Sequence, residues 1–178
     1  MNVSTPLHNL TLAVLTVTTL VGSHALAQTI TAAVPPAQSE RPVPEVIQKW
    51  ISAWNQADAN AMAALFTDDG VYQDFAFGAR VQGREGVAGW VELTVQNIPD
   101  SRGEILDAFR VGDRAAVQWI YHGTSLRMGP VEGTGKSFAV PVTSVFVLAG
   151  DRIREVSDYY NRAEVFRQLG LPSDGFAP

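Results

Sequence analysis

The sequence predicts a single α+β domain that follows an export signal. Apolar residues recur at helical spacing between residues 44 and 96, whereas residues 104–160 are rich in Val, Ile and aromatic side chains divided by Gly-Asp turns. The chain of 178 residues is long enough for one core and short for two. Because the helices precede the strands without alternating with them, we expect a curved sheet wrapped around the first helix.

The composition argues against several classes of function. The chain is 46% hydrophobic and 17% charged, which is typical of a folded globular protein. Its 13 basic and 18 acidic residues give a net charge of -5, and no basic stripe is present, so nucleic acid is not an expected partner. Without cysteine or closely spaced histidines, the sequence indicates neither thiolate chemistry nor a metal site, and we expect no cofactor.

The first residues resemble a targeting segment. Residues 10–21 form an apolar stretch that is too short to cross a bilayer and ends near the small residues Ala25 and Ala27. This pattern predicts a signal peptide over residues 1–27, cleaved after Ala27, and a secreted or periplasmic protein with no stable membrane span after processing. An uncleaved anchor or a disordered tail is the alternative. We expect a proline-rich tether over residues 28–43, the domain over residues 44–171 and a tail over residues 172–178.

Three helices are expected in the first half of the domain. The first begins near Pro44 and places apolar side chains on one face, namely Val46, Ile47, Trp50, Ile51 and Trp54. Asp58 can cap a second, shorter helix with Met62, Leu65 and Phe66 inward, which Asp69-Gly70 would end before a strand over residues 71–75. Residues 83–96 form the third helix, closed by Pro99.

Four antiparallel strands are expected in the second half. They cover residues 104–111, 114–124, 136–148 and 152–160. Gly112-Asp113 and Gly150-Asp151 predict hairpin turns, and residues 129–135 predict a wider, mobile connection. A last helix over residues 162–169 ends at Gly170.

Five segments carry a family resemblance, and they follow one another in the family's order. They are VIQKWISAWNQAD (46–58), ALFTDDGVYQD (64–74), RVQGREGV (80–87), TGKSF (134–138) and GDRIREVSDYYN (150–161). The domain thereby resembles the NTF2-like superfamily, in the branch of ketosteroid isomerases, SnoaL-like polyketide cyclases and limonene epoxide hydrolases. The resemblance implies a cone-shaped α+β fold, in which a curved antiparallel sheet and an N-terminal helix enclose an apolar pocket. It also implies a homodimer.

Asp158 is the first candidate for acid–base chemistry. Val156 and Tyr160 share its face of the last strand, so a pocket on that face would surround the carboxyl with apolar groups and raise its pKa. In the cyclases and epoxide hydrolases that the chain resembles, the Asp at this place is the general acid or base. The alternative is a structural Asp158 that pairs with an arginine or accepts backbone hydrogen bonds.

Asp74 is the second candidate. It shares a face of the first strand with Tyr72, and Phe75 and Phe77 could exclude water from it. The resemblance implies a carbon-acid base at Asp74, as in ketosteroid isomerases, or water held with the help of Tyr72, as in epoxide hydrolases. The alternative is an Asp74 that caps a turn in solvent.

At two places the residues of this chain differ from those of the family, and these differences reduce the range of expected reactions. Trp50 and Thr143 stand where ketosteroid isomerases have a tyrosine and an acid that donate hydrogen bonds to the substrate. The epoxide hydrolases need an Arg-x-Asp pair on the middle strand, where this chain reads QWIYH over residues 118–122. Steroid isomerisation and epoxide hydrolysis of those types are therefore disfavoured, and a cyclase-like arrangement remains.

The sequence thus predicts a cofactor-independent isomerase, cyclase or lyase that acts on a hydrophobic, carbonyl-bearing or polycyclic small molecule. The predicted catalytic residues are Asp158, Asp74, Tyr72 and His122, although alternation does not say whether His122 or Tyr121 faces the pocket. The predicted substrate-binding walls are Trp50, Trp54, Phe75, Trp90, Trp119, Tyr121, Thr143 and Tyr160. The alternatives are a non-catalytic carrier of a hydrophobic small molecule and a dimerisation module.

Overall fold

The computed structural model describes residues 42–128 and 131–172. The predicted signal peptide, nearly all of the predicted tether and residues 173–178 lie outside the described residues. The described helices are α1 (Glu45–Asn55), α2 (Ala59–Ala64), α3 (Gly83–Asn97) and α4 (Arg162–Leu169). The described strands are β1 (Phe66–Asp74), β2 (Ala79–Gln82), β3 (Arg102–Val111), β4 (Arg114–Thr124), β5 (Arg127–Met128), β6 (Val131–Glu132), β7 (Ser137–Ala149) and β8 (Arg152–Tyr160).

Six of these strands form one curved, unclosed sheet in the order β2-β1-β8-β7-β4-β3. The predicted antiparallel meander is confirmed, since β3 pairs with β4, β4 with β7 and β7 with β8. At the other side, β1 runs parallel to β8 and antiparallel to β2. The predicted α+β class is therefore confirmed, and the parallel β1–β8 pair is the feature that the sequence did not predict.

The prediction for β1 was wrong at its start. The strand begins at Phe66 rather than Val71, so Asp69-Gly70 lies inside it and Phe66 is not part of α2. The register of β1 against β8 shifts between Phe66 and Val71. The strand therefore contains an irregularity at Asp69-Gly70 and no turn. The strand β2 and the two-residue strands β5 and β6 were also missed, since such short segments carry little periodicity.

The helix ends follow the capping residues that the sequence predicted. The carboxylate of Asp58 accepts a hydrogen bond from the Ala61 amide at 2.8 Å and starts α2. Gly170 adopts φ 71°, in the left-handed region, and ends α4. No helix in the described part of the chain is both long and apolar enough to span a membrane.

The core lies between α1 and the inner face of the sheet. Trp50 of α1 is fully buried, with its ring edge-on to Trp119 of β4 and Phe146 of β7, each at 5.3 Å between centroids. Both pairs have the perpendicular geometry that aromatic rings favour. This cluster fixes α1 over the sheet and thereby sets the depth of the space beside it.

Replacing Phe146 with Ala should therefore destabilise the fold strongly. The phenyl ring is fully buried, so its loss leaves a cavity between Trp50 and β7, and we expect the free energy of unfolding to fall by about 3–5 kcal/mol. Urea denaturation checks this, with Val111→Ala as the control, because Val111 is 71% exposed. Equal losses in the two variants would contradict the assignment of the core.

Candidate functional site

A cavity of about 530 Å³ lies beside this core, over the inner face of the sheet. Residues of α1, α3, β1, β4, β7 and β8 contribute to its walls. The aromatic side chains that line it are Trp54, Tyr72, Phe77, Trp90, Trp119, Tyr121, Phe138 and Tyr160. Two carboxyl groups, those of Asp74 and Asp158, also line it. A small molecule of one to several rings fits such a volume.

The Asp158 carboxyl accepts a hydrogen bond on each oxygen. The Tyr72 hydroxyl donates to Oδ2 at 2.6 Å, and the Ser144 hydroxyl donates to Oδ1 at 2.5 Å. The indole N–H of Trp119 donates in turn to the Ser144 oxygen at 2.9 Å. These three side chains come from β1, β7 and β4, so the neighbours of β8 on both sides hold the carboxyl in one orientation.

The Asp74 carboxyl has a parallel arrangement one strand away. Asp74 and Asp158 are register partners in the β1–β8 pair. The Tyr160 hydroxyl donates to Oδ2 of Asp74 at 2.7 Å, and the Phe77 amide donates to Oδ1 at 2.8 Å. Each strand therefore supplies one acid to the cavity and one tyrosine to the acid of the other strand.

Burial changes the acidity of both carboxyl groups. Asp158 is only 5% exposed, and this desolvation raises its pKa to about 7, against the opposing effect of the Ser144 and Tyr72 hydrogen bonds. Asp74 adds a smaller repulsion that also raises the pKa of Asp158. Burial raises the pKa of Asp74 as well, while the Phe77 amide and the Tyr160 hydroxyl lower it.

The Tyr121 hydroxyl is one of the polar groups of the cavity that lack a hydrogen-bond partner among the described residues, as the Ser101 hydroxyl also does. Among the described residues it makes no hydrogen bond, although its ring packs against Trp119, Phe138 and Tyr160. Burial, followed by the nearby charges of Asp74 and Asp158, raises the pKa of Tyr121, so the hydroxyl keeps its proton at neutral pH. It is therefore available to donate to an oxygen atom of a ligand.

Comparison with protein families identifies the domain. A family model described as a SnoaL-like domain matches residues 47–156, which is more than half of the chain. The chain belongs to the SnoaL-like family. The match ends two residues before Asp158, so the candidate acid lies just beyond the matched segment. The comparison with curated proteins gives no match.

Solved structures show the same fold for this SnoaL-like domain. A hypothetical protein from Catenulispora acidiphila, with a ketosteroid isomerase-like fold and bound to trimethylamine, is 34% identical over 77% of this chain and 100% of its own, with a TM-score of 0.69. A polyketide cyclase candidate from Pseudomonas putida is 25% identical over 70% and 96%, with a TM-score of 0.61. A SnoaL-like polyketide cyclase candidate from Jannaschia is 17% identical over 76% and 99%, with a TM-score of 0.65. The predicted NTF2-like fold is thus confirmed.

The structure brings most of the predicted site residues to the cavity. The predicted residues that line it are Tyr72, Asp74 and Asp158 from the catalytic set and Trp54, Trp90, Trp119, Tyr121 and Tyr160 from the predicted walls. Their roles in chemistry stay predictions, because their position shows only that they meet in one space.

Four predicted residues lie elsewhere in the SnoaL-like domain. His122 follows Tyr121 on β4 and therefore points to the outer face, where its Nε2 is 3.8 Å from Glu104. Thr143 also belongs to the outer face, one residue away from Ser144. Phe75 is 49% exposed and stacks on Tyr159 outside the cavity. Trp50 is a core residue that does not line the cavity.

The sequence analysis missed Ser144, as well as the cavity-lining residues Phe138, Arg127 and Arg162. The Ser144 hydroxyl connects Trp119 to Asp158, but a serine in a strand of Val, Phe and Thr gives no chemical signal. Only the register of β7 against β8, in which Ser144 faces Asp158, identifies it. The described residues contain no group of three or more His, Cys, Asp or Glu side chains that could hold a metal ion.

The raised pKa of Asp158 should make stability depend on pH. Since the folded chain holds this proton up to about pH 7 and the unfolded chain only to about 3.8, the free energy of unfolding should fall as pH rises between these values. Over this range, the free energy of unfolding should fall by about 4 kcal/mol. Urea denaturation between pH 4 and pH 8 checks this, and Asp158→Asn should flatten the profile.

Asp113→Asn is the matched control, because the Asp113 side chain is 69% exposed in the β3–β4 hairpin. It should keep the wild-type slope. A wild-type stability that is constant over the whole range would show that Asp158 titrates like a solvated carboxyl.

Proposed function

We propose that this SnoaL-like protein is a cofactor-independent acid–base enzyme of isomerase, cyclase or lyase type. Its substrate would be a hydrophobic, carbonyl-bearing small molecule. The observation that carries the proposal is the Asp158 carboxyl, which lies in the cavity with a pKa raised to about 7. A general base is most effective when its pKa is near the working pH, because it is then both deprotonated and basic. Export and a homodimer, predicted from the sequence, remain part of this proposal.

Asp158 is the proposed base. The Tyr72 and Ser144 hydroxyls occupy one lone pair on each of its oxygens, which leaves further lone pairs for a proton from the substrate. The proton would leave the carbon atom next to the carbonyl group. Because both hydrogen bonds hold the carboxyl in place, it need not reorganise when the proton arrives.

Tyr121 is the proposed donor to the carbonyl oxygen. When the carbon atom loses its proton, negative charge moves to that oxygen, and a hydrogen bond from a neutral hydroxyl stabilises it. Tyr121 fits this role because it lines the cavity, keeps its proton and makes no hydrogen bond with a described residue. Asp74 is a second group that could hold the proton and return it at another carbon atom.

The comparisons support the class of reaction. The Pseudomonas putida neighbour, 25% identical, is described as a polyketide cyclase candidate. Cyclases of this kind and isomerases share the removal of a proton beside a carbonyl group. The cavity geometry is consistent with cyclisation and with isomerisation, and the structure of the substrate would decide which of the two reactions follows.

Proton exchange provides the direct experiment. 2-Tetralone, an apolar bicyclic ketone, is the test substrate. We expect the protein to accelerate deuterium exchange at the carbon atoms next to its carbonyl group in deuterium oxide, which proton NMR measures. Asp158→Asn should reduce the rate by roughly 100-fold or more, since it removes the base. Asp113→Asn, at an exposed position, should leave the rate unchanged.

The pH dependence of this exchange tests the assignment further. The rate should rise with pH to a plateau, with a midpoint near the Asp158 pKa of about 7, because only the carboxylate accepts a proton. Tyr72→Phe should move the midpoint upward, since the Tyr72 hydrogen bond lowers the pKa of Asp158. Exchange that is equally fast in Asp158→Asn would refute the proposed base.

Binding of an alkylammonium ion is a second candidate function. The Catenulispora acidiphila relative was crystallised with trimethylamine. In this chain, aromatic rings and two buried carboxyl groups line a cavity whose lining also includes three arginines, and aromatic faces attract a cation. Calorimetric titration with tetramethylammonium chloride, with tert-butanol as the uncharged control, distinguishes this candidate. Tight binding of the cation alone, without ketone exchange, would favour a carrier over an enzyme.

A further inference from the structure

The charges around the cavity differ from those of the whole chain. The chain has 13 basic and 18 acidic residues. The cavity, by contrast, is lined by three arginines, Arg102, Arg127 and Arg162, and by only two acids, Asp74 and Asp158. Burial raises the pKa of Asp158 to about 7, so the negative charge of this acid is reduced near neutral pH. The cavity is thus a locally positive region of an acidic protein.

The arginines and the acids of this space differ in their exposure to solvent. Asp74 and Asp158 are buried, whereas Arg102 and Arg127 are exposed and Arg162 is half-buried. The exposed residues of a cavity mark its opening. The arginines therefore lie nearer to the opening than the buried carboxyl groups do.

Among the described residues, two of these arginines have no ion-pair partner. Within the described residues, neither Arg127 nor Arg162 has a carboxylate at ion-pair distance. Arg102 differs, since it adds to the effects, led by the Thr124 hydroxyl, that lower the pKa of Asp100. The argument therefore rests on Arg127 of β5 and Arg162 of α4.

The position of Arg162 is unfavourable for the fold alone. It is the first residue of α4, where the partial positive charge of the helix disfavours a cation. Its guanidinium carbon lies 5.8 Å from the centroid of the Phe166 ring, which restricts the side chain beside the cavity. A cation that destabilises the start of the helix and is held at the opening of the cavity is suited to bind an anion.

We propose that the ligand is an amphipathic anion, with an apolar ring system and an anionic group such as a carboxylate. Arg127 and Arg162 bind the anionic group at the opening, and the rings lie along the aromatic walls. The other end of the ligand then reaches Asp158. This inference rests on the proposed function for what happens at that end, and it adds which class of molecule is bound and in which direction.

A matched pair of probes tests the proposal. We expect 2-naphthylacetate to bind more tightly than 2-naphthylacetamide, which has nearly the same shape without the charge, when both are titrated by calorimetry at pH 8. Arg127→Gln and Arg162→Gln should each reduce the ratio of the two affinities by roughly threefold, as expected for partly exposed ion pairs. The double variant should lose more than either single variant, up to roughly tenfold where the two contributions add. Raising the salt concentration should reduce the same ratio.

Arg154→Gln is the control variant. Arg154 is exposed on β8 and does not line the cavity. Its replacement by Gln removes the same formal charge as each of the two test variants. It should keep the wild-type ratio of affinities. Since the ratio compares two ligands on one variant, a general loss of folded protein cancels out of it.

The outcomes separate this inference from the proposed function. If the wild type binds the amide as tightly as the acid, or if Arg154→Gln lowers the ratio as much as Arg127→Gln does, the anionic ligand is refuted. 2-Tetralone itself carries no anionic group, so its exchange tests Asp158 independently of the arginines. Anion preference without exchange would refute only the catalysis, and exchange without anion preference would refute only the ligand class.

Discussion

The parallel pairing of β1 with β8 is the constraint on which the site depends. Strands distant in the sequence are brought into a register that places Asp74 beside Asp158. Because alternate residues of a strand share a face, Tyr72 and Tyr160 then lie diagonally opposite the acid of the other strand. A shift of β1 by one residue would turn Tyr72 and Asp74 out of the cavity. The arrangement of the four side chains is thus set by backbone hydrogen bonding between two strands.

Burying two carboxyl groups in this way opposes folding. Each acid loses its hydration, and the hydrogen bonds from Tyr72, Ser144, Tyr160 and the Phe77 amide offset only part of that cost, since both pKa values remain raised. The stability has to come from elsewhere. The perpendicular cluster of Trp50, Trp119 and Phe146 lies beside the cavity, and Trp119 belongs to both, because its ring packs in the core while its N–H holds Ser144.

Local patterns in the sequence were sufficient to predict the main helices and strands, but not which face of each strand is turned to the cavity. The Asp58 cap, the end of α4 at Gly170 and the bounds of β4 and β8 follow from neighbouring residues and were predicted. Alternation correctly grouped Asp158 with Tyr160, but it does not say which of two faces is inside. That choice decides between Tyr121 and His122, and between Ser144 and Thr143, and it depends on cross-strand register. Phe75 was misplaced because it directly follows Asp74 and therefore lies on the opposite face, where it stacks on Tyr159.

The two acids of the cavity differ in what their hydrogen-bond donors can do. Both partners of Asp158 are hydroxyl groups, and a hydroxyl can rotate to accept a hydrogen bond after the acid gains a proton. One partner of Asp74 is the Phe77 amide, which can only donate and therefore favours the ionised form. The surroundings of Asp158 accommodate both protonation states, whereas those of Asp74 favour one. A group that must alternate between the two states during turnover is for this reason better placed at Asp158.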